Sequence, residues 1–141
     1  MSSGPFQLFT DGASRGNPGQ AGAGVVLRGP DGGIVCCGKK FLGVCTNNEA
    51  EYRALNMGLE TALKQKYRAL EIYLDSELVV RQLEGIYKIK NARLSELSKE
   101  SKRLLSFLDS YSIRHIPREK NAAADKLANE AIDDHLSSAP A

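Results

Sequence analysis

The sequence has little cysteine, and its arrangement suggests neither a disulfide framework nor a metal site. Only three cysteines occur in 141 residues, and two of them, Cys36 and Cys37, are adjacent. An odd number without the spacing of metal ligands argues against a disulfide-stabilised fold and against a zinc site. We therefore expect a reducing compartment and a cytoplasmic location.

Long apolar runs and a strong excess of one charge are missing as well. No uninterrupted apolar stretch approaches the roughly 20 residues that span a bilayer, and residues 1–5 lack the basic and apolar pattern of a secretory signal. The formal net charge is only +2, whereas a protein that binds polyanions by charge alone is far more basic. The sequence thus predicts no membrane contact, and its charge does not identify a partner.

The length and the hydrophobic content predict one compact domain. With 42% hydrophobic residues, a chain of 141 residues is large enough to bury about two-thirds of the surface that its unfolded form exposes. We expect residues 1–141 to form a single monomeric domain. Its ends, residues 1–5 and 135–141, are predicted to be frayed.

Hydrophobic periodicity predicts three strands in a meander, followed by alternating helices and strands. The predicted strands are residues 6–11, 23–28, 34–42, 70–75 and 111–116, and the predicted helices are residues 46–66, 76–83, 93–109 and a closing helix capped by Asn121. Residues 12–19 are rich in glycine, which predicts a loop. Short connections predict two antiparallel partners for the first strand, and the later strand-helix-strand order predicts a parallel pairing. The predicted fold is α/β, with a five-stranded mixed sheet covered by helices.

Four acidic residues occur where these elements begin or end. Asp11 and Asp75 end two neighbouring strands, while Glu51 and Asp125 lie in the first turns of two helices. Each residue has an ordinary alternative role: a turn for Asp11, a helix cap for Asp75, and a helix-dipole partner for the other two. Their recurrence at four element ends predicts instead that the four carboxylates converge at one edge of the sheet.

Four converging carboxylates repel one another unless they are protonated or neutralised. A hard divalent cation with oxygen ligands, Mg²⁺ or Mn²⁺, is the usual solution. Acidic clusters of this kind hold two ions about 3.5–4 Å apart and support an in-line displacement at phosphorus. The predicted reaction is therefore phosphodiester hydrolysis.

Four separated motifs resemble those of ribonuclease H type 1. They are residues 10–19 (TDGASRGNPG), 46–51 (TNNEAE), 74–76 (LDS) and 124–128 (ADKLA). The resemblance spans residues 6–132 and implies a ribonuclease H-like fold in which the catalytic metal ligands are Asp11, Glu51, Asp75 and Asp125. It also implies an endonuclease that cuts the RNA strand of RNA/DNA hybrids and leaves 5′-phosphate and 3′-hydroxyl ends. Two Mg²⁺ ions would bind beside the substrate, with Mn²⁺ as a substitute and double-stranded RNA as a further candidate substrate.

The same resemblance indicates which side chains contact the substrate. Asn17, Asn47 and Asn48 have neutral amides that suit the 2′-hydroxyl groups in a shallow minor groove, although each also suits a turn or a helix start. Thr46 and Asn91 resemble positions that hold a phosphate of the DNA strand, and Asn91 suits a helix cap equally well.

The sequence departs from the best-known bacterial pattern in two places. The connection between residues 85 and 94 is short, so the basic protrusion that helps some relatives hold the hybrid is missing, as in the archaeal and plant-like branch. The loop before the closing helix lacks the histidine that many relatives have. Arg118 is the candidate there for phosphate or product handling, and His115 is the alternative for proton transfer.

Two other functions fit the sequence less well. A DNA-directed nuclease of the integrase type has a similar fold, but it usually needs additional DNA-binding regions for which these 141 residues have no room. A catalytically silent module that binds hybrid or RNA would gain nothing evident from four repelling carboxylates.

Overall fold

The computed structural model describes residues 4–138, which contain five strands and four α-helices. The strands are β1 (Phe6–Gly16), β2 (Gly19–Arg28), β3 (Ile34–Cys45), β4 (Ala69–Leu74) and β5 (Ser110–His115). The helices are α1 (Asn47–Lys64), α2 (Glu77–Leu83), α3 (Ala92–Leu105) and α4 (Ala122–Ser137), and a one-turn 3₁₀ helix (Arg118–Asn121) precedes α4. None of the helices in this part of the chain combines the length and the apolar character needed to cross a membrane.

The strands form one mixed sheet in the order β3-β2-β1-β4-β5. β1 pairs antiparallel with β2 and parallel with β4, and β4 pairs parallel with β5. The predicted α/β fold with a five-stranded mixed sheet is therefore confirmed. The prediction of two antiparallel partners for β1 is wrong, because β3 pairs with β2 and leaves the second edge of β1 to β4.

The glycine-rich segment after Asp11 is a strand rather than the predicted loop. β1 continues to Gly16 and pairs with β2 as far as Gly16↔Gly19, so that only Asn17 and Pro18 form the turn. A two-residue connection is the shortest that joins antiparallel strands, and it places the turn residues at the tip of the hairpin. The small residues of this segment lie within the hairpin, where they allow helices to approach the sheet.

Two glycines set the distance between the sheet and the helices that cover it. A Cβ atom on Gly12 would lie 2.2 Å from the backbone oxygen of Ala50 in α1, and one on Gly24 would lie 2.0 Å from that of Ala124 in α4. Both distances are far below van der Waals contact, so only glycine fits without displacement of a helix. α1 and α4 therefore rest directly on the backbones of β1 and β2.

The apolar core lies between the sheet and the helices α1, α2 and α3. It is formed by fully or nearly fully buried side chains of the central strands and these helices, including Leu8, Val25, Leu55, Leu59, Ile72, Val79 and Leu104. On the opposite face of the sheet, α4 packs mainly on β2. The core holds the strand ends and the helix starts in fixed positions, as burial of apolar surface dominates folding stability.

The helix starts follow their capping residues closely. Thr46 accepts from the backbone N–H of Glu49, and the Glu49 side chain accepts from the backbone N–H of Thr46, which confirms the predicted capping box. Ser76 caps α2, so the alternative in which Asp75 is the cap is wrong. The cap of α3 is Asn91, whose side chain accepts from the backbone N–H of Leu94.

The closing helix is longer than predicted. α4 continues to Ser137, so the prediction of a frayed tail is wrong for residues 135–137. The His135 ring stacks on Phe41 of β3 at a centroid distance of 3.7 Å, and Lys39 of β3 forms ion pairs with Glu130 and Asp134. These contacts hold the last turns of α4 against β3. Residues 1–3 and 139–141 of the predicted frayed ends lie outside the described residues.

Replacing Gly24 with alanine is expected to lower the free energy of unfolding by about 3 kcal/mol, because added methyl groups in a closely packed site typically cost about 1–3 kcal/mol. The new Cβ atom would meet the backbone of α4 at Ala124. Urea denaturation followed by circular dichroism measures the change.

Gly38→Ala is the matched control for this substitution. A Cβ atom at Gly38, in the neighbouring strand β3, meets only the flexible end of Met57 at 3.4 Å. We expect little change in stability for this variant. Equal losses for Gly24→Ala and Gly38→Ala would show that the close approach of α4 is not what requires glycine.

Candidate metal centre

Two aspartates lie at the same level of the sheet, just beyond the point where β1 and β4 stop pairing. The parallel register ends at Phe9↔Tyr73, and each strand places an aspartate two residues further on, Asp11 and Asp75. Asp11 was predicted at the end of its strand, but it lies within β1, which continues as a partner of β2 alone. The convergence of the two side chains follows from the parallel register rather than from the end of β1.

A third carboxylate comes from α1. Glu51 is the fifth residue of this helix and therefore lies in its second turn, not in the first turn as predicted. Its Oε1 atom accepts a hydrogen bond of 2.6 Å from the backbone N–H of Gly12. Because Gly12 has no side chain, the helix approaches closely enough for this bond to form.

Three of the four predicted acids form a compact group. One carboxylate oxygen from each of Asp11, Glu51 and Asp75 lies within 4.8 Å of the other two. Asp125 lies in the first turn of α4, as predicted, and is outside this group of three. It remains close enough to Asp11 to raise the pKa of that side chain through a hydrogen bond.

The electrostatics of the group favour binding of a cation. Burial raises the pKa of Asp11 strongly, and the adjacent Glu51 and Asp75 raise it further. Burial also raises the pKa of Glu51, while Arg118 and the Gly12 N–H act in the opposite direction. Without a cation, the group must take up protons or bear the repulsion of like charges. A divalent cation with oxygen ligands removes this cost, so the donor set fits a hard metal ion.

The acidic group lies in an open cleft of about 290 Å³. The cleft is lined by Asp11, Gly12, Asn47, Asn48, Glu51, Asp75, Ser76 and Arg118. Of the residues predicted to contact a substrate, Asn47, Asn48 and Arg118 are thus beside the carboxylates. His115 is exposed at the end of β5 and is not among the residues that line the cleft within the described chain.

The other predicted contact residues have structural partners in this structure. The Oδ1 atom of Asn17 accepts from the backbone N–H of Asn47 at 3.1 Å, which ties the β1–β2 turn to the start of α1. Thr46 and Asn91 cap α1 and α3. Arg93 lies 3.4 Å from Glu49 and brings these two helix starts together. A capping role does not exclude a ligand at the same helix start, where backbone N–H groups point outward.

Asn121 contacts the site in a way that the sequence did not predict. It was expected to cap α4, but its side chain makes no capping hydrogen bond. The side chain is 1% exposed, and its Nδ2 atom donates to the backbone oxygen of Thr10 and to Oδ2 of Asp75. The available signal was its position four residues before Asp125, on the same face of a helical segment.

Comparison with known proteins identifies relatives over most of the chain. A family model described as "Reverse transcriptase-like" matches residues 9–131. The chain is 45% identical over 131 residues to Ribonuclease HI of Halobacterium salinarum, covering 93% of this chain and 66% of that protein. It is 41% identical over 135 residues to the Bifunctional protein Rv2228c of Mycobacterium tuberculosis, but spans only 37% of its length.

Solved structures give the same result. The RNase H1 of Halobacterium salinarum superposes with a TM-score of 0.91 at 45% identity, covering 93% of this chain and 99% of that one. LC11-RNase H1, solved in complex with RNA/DNA hybrid, superposes with a TM-score of 0.88 at 41% identity, with the same coverage of 93% and 99%.

Asp11→Asn is expected to stabilise the metal-free protein by about 0.5–2 kcal/mol, a typical gain for a stabilising substitution. The amide removes one member of a buried group of like charges and needs no proton to become neutral. Thermal unfolding in EDTA measures the difference. Glu96→Gln, which alters a carboxylate with 73% exposure, is the control and should have no effect.

Added Mg²⁺ should reverse this order of stability. A ligand that binds only the folded state raises the unfolding temperature, so the wild type should gain more than Asp11→Asn. A wild type that is more stable than the variant in EDTA, or equal gains on addition of Mg²⁺, would contradict the assignment of a cation to this group.

Proposed function

We propose that this chain, which belongs to the ribonuclease H type 1 family, is an endonuclease that hydrolyses the RNA strand of RNA/DNA hybrids. The observation that carries the proposal is the group of three carboxylates, with Asp125 beside it, in a cleft that also contains neutral amides and one arginine. The hybrid-bound structure of LC11-RNase H1 supports the choice of substrate, because the two folds superpose closely at 41% identity. The products would carry 5′-phosphate and 3′-hydroxyl ends.

The four acids would hold the metal. Asp11, Glu51 and Asp75 offer oxygen atoms at one place, and Asp125, which lies outside this group in the first turn of α4, would supply another from the opposite face of the sheet. We propose Mg²⁺ as the physiological ion, two of which bind beside the substrate, with Mn²⁺ as a substitute. When bound, such ions lower the pKa of a water molecule and stabilise the charge that develops on the scissile phosphate.

The protein holds these ligands on rigid elements. Glu51 is held by the Gly12 N–H, so one of its two oxygens points toward β1 before any ion binds. Asp11 lies in β1 and Asp75 directly follows β4, each two residues beyond the last pair between these strands, which limits their movement relative to each other. Ligands held in place by secondary structure lose little conformational entropy when they bind a cation or a substrate.

Recognition of the RNA strand would use the start of α1. Asn47 and Asn48 line the same cleft as the carboxylates, and their amides can donate to and accept from a 2′-hydroxyl group. Asn17 would act beside them, since its side chain already holds the backbone of Asn47. Thr46 and Asn91 would hold a phosphate of the DNA strand at the two helix starts that Arg93 and Glu49 bring together.

The wider range of partners remains a set of predictions. Double-stranded RNA is a further candidate substrate, because its minor groove also exposes 2′-hydroxyl groups. A monomer is also expected. A reducing, cytoplasmic compartment is proposed from the low and odd number of cysteines in the sequence.

Cleavage of an end-labelled RNA/DNA hybrid in the presence of Mg²⁺ tests the proposed function. We expect the wild type to cut only the RNA strand, and we expect EDTA, Asp11→Asn or Asp75→Asn to abolish cutting. DNA duplex of the same sequence is the control substrate and should stay intact. Failure of the wild type to cut hybrid would reject the proposal, and equal cutting of the DNA duplex would favour an integrase-type nuclease.

Arg118→Ala is expected to lower kcat for the hybrid about tenfold or more, because a hydrogen bond to a charged group contributes about 1.5–3 kcal/mol. Arg118 lines the cleft and is the cation whose charge lowers the pKa of Glu51, so it is placed to contact a phosphate oxygen. Steady-state kinetics at fixed salt measures the effect.

Two variants serve as controls for Arg118. Lys120→Ala removes an exposed cation from the same 3₁₀ helix, and His115→Ala removes the alternative candidate for proton transfer. Both should keep nearly wild-type kcat. An effect of His115→Ala larger than that of Arg118→Ala would exchange the roles of the two residues.

A further inference from the structure

We propose that Asn121 is a positioning residue that holds the Asp75 carboxylate in the orientation required for cation binding. The link to catalysis rests on the proposed function, whereas the link to cation binding rests only on the acidic group. The carboxylates themselves come from β1, α1, α4 and the residue after β4. Asn121 is not itself one of the acidic residues, yet its side chain connects three of the segments that carry them.

The contacts of Asn121 are short and buried. Its Nδ2 atom lies 2.9 Å from the backbone oxygen of Thr10, the residue before Asp11, and 2.9 Å from Oδ2 of Asp75. Asn121 itself is the last residue of the 3₁₀ helix and immediately precedes α4, which carries Asp125. One amide group therefore joins β1, the end of β4 and the start of α4.

The chemistry of the partners determines the orientation of the amide. Both partners are acceptors, and a side-chain amide offers two N–H hydrogens, so the NH₂ group must face them. The opposite orientation would place the amide oxygen against a carbonyl and a carboxylate. With its Oδ2 atom held by Asn121, Asp75 has its other oxygen available for a cation.

The oxygen atom of the Asn121 amide argues against a role in stability alone. The Oδ1 atom of Asn121 is buried and has no hydrogen-bond partner among residues 4–138. A buried, unpaired acceptor is unfavourable for folding. Asn121 is thus placed for its two donated hydrogen bonds, one of which ends on a member of the acidic group. Hydrogen bonds to metal ligands from outside the coordination sphere commonly orient the ligand and strengthen binding.

Titration with Mg²⁺ tests this proposal without any activity measurement. The dissociation constant is obtained from the Mg²⁺ dependence of thermal unfolding and from calorimetry. Asn121→Ala is expected to raise it about 10–100-fold, the usual effect of removing a hydrogen-bond partner of a metal ligand. If Asn121→Ala does not fold, Asn121→Ser replaces it, because the shorter hydroxyl has one hydrogen and cannot serve both acceptors.

Asn56→Ala is the matched control. Asn56 is a buried asparagine of α1 that donates to the backbone oxygen of Leu97 and accepts from Ser101, and it lines a different cavity. Its loss should lower thermal stability without changing the dissociation constant for Mg²⁺. An equal loss of Mg²⁺ affinity in Asn56→Ala, or no loss in Asn121→Ala, would overturn the proposal.

A double-mutant cycle distinguishes positioning of Asp75 from a general structural effect. If Asn121 acts through Asp75, Asn121→Ala should weaken Mg²⁺ binding in the wild type but have no further effect in Asp75→Asn. If the two substitutions weaken Mg²⁺ binding independently, so that their fold-changes in the dissociation constant multiply in the double mutant, the proposed link between Asn121 and Asp75 is overturned.

Kinetics of hybrid cleavage adds a separate readout. Asn121→Ala should lower kcat at limiting Mg²⁺, leave KM for the hybrid unchanged, and recover kcat as Mg²⁺ is raised. A raised KM with normal Mg²⁺ dependence would overturn the positioning role. If the wild type does not cut hybrid, the proposed function fails, while the Mg²⁺ titrations still decide the role of Asn121.

Discussion

Mutual repulsion among buried carboxylates is the constraint on which the rest of this structure depends. Asp11, Glu51 and Asp75 are separated by dozens of residues in the sequence, yet folding brings their oxygens within 4.8 Å of one another. In the absence of a cation, their burial and proximity oppose folding: burial raises the pKa of Asp11 and of Glu51, and the neighbouring Asp75 raises both further. The remainder of the chain must therefore be stable enough to hold them in place.

The scaffold meets this requirement with rigid elements on both sides of the sheet. The apolar core beneath α1 fixes the helix that carries Glu51, and the parallel pairing of β1 with β4 fixes the two aspartates. α4 holds Asp125 from the other face, where His135 and Phe41 extend the contact with β3. Loss of stability at the acidic cleft is thereby offset by packing elsewhere, a common arrangement at functional sites.

Local signals predicted much of the fold and most of the site. The capping box at Thr46 and Glu49, the strand periodicity and the order of the elements were sufficient to predict the mixed sheet and the meeting of Asp11 with Asp75. The glycine-rich hairpin was misread because glycine usually marks loops, whereas here it allows close helix packing, which is a tertiary property. Asn121 was misread for a similar reason, since its partners, Thr10 and Asp75, are distant in the sequence.

The bare backbone contacts at Gly12 and Gly24 have a consequence for how this protein can diverge. At these points the spacing between layers is set by peptide units, whose dimensions do not vary with sequence. Exchange of an interior leucine or valine alters the packing around these two points, but it leaves the contact between the peptide units themselves unchanged. The main chain itself thus sets the distance between the sheet and the two helices that carry Glu51 and Asp125. Substitutions elsewhere in the interior leave these two points of contact in place.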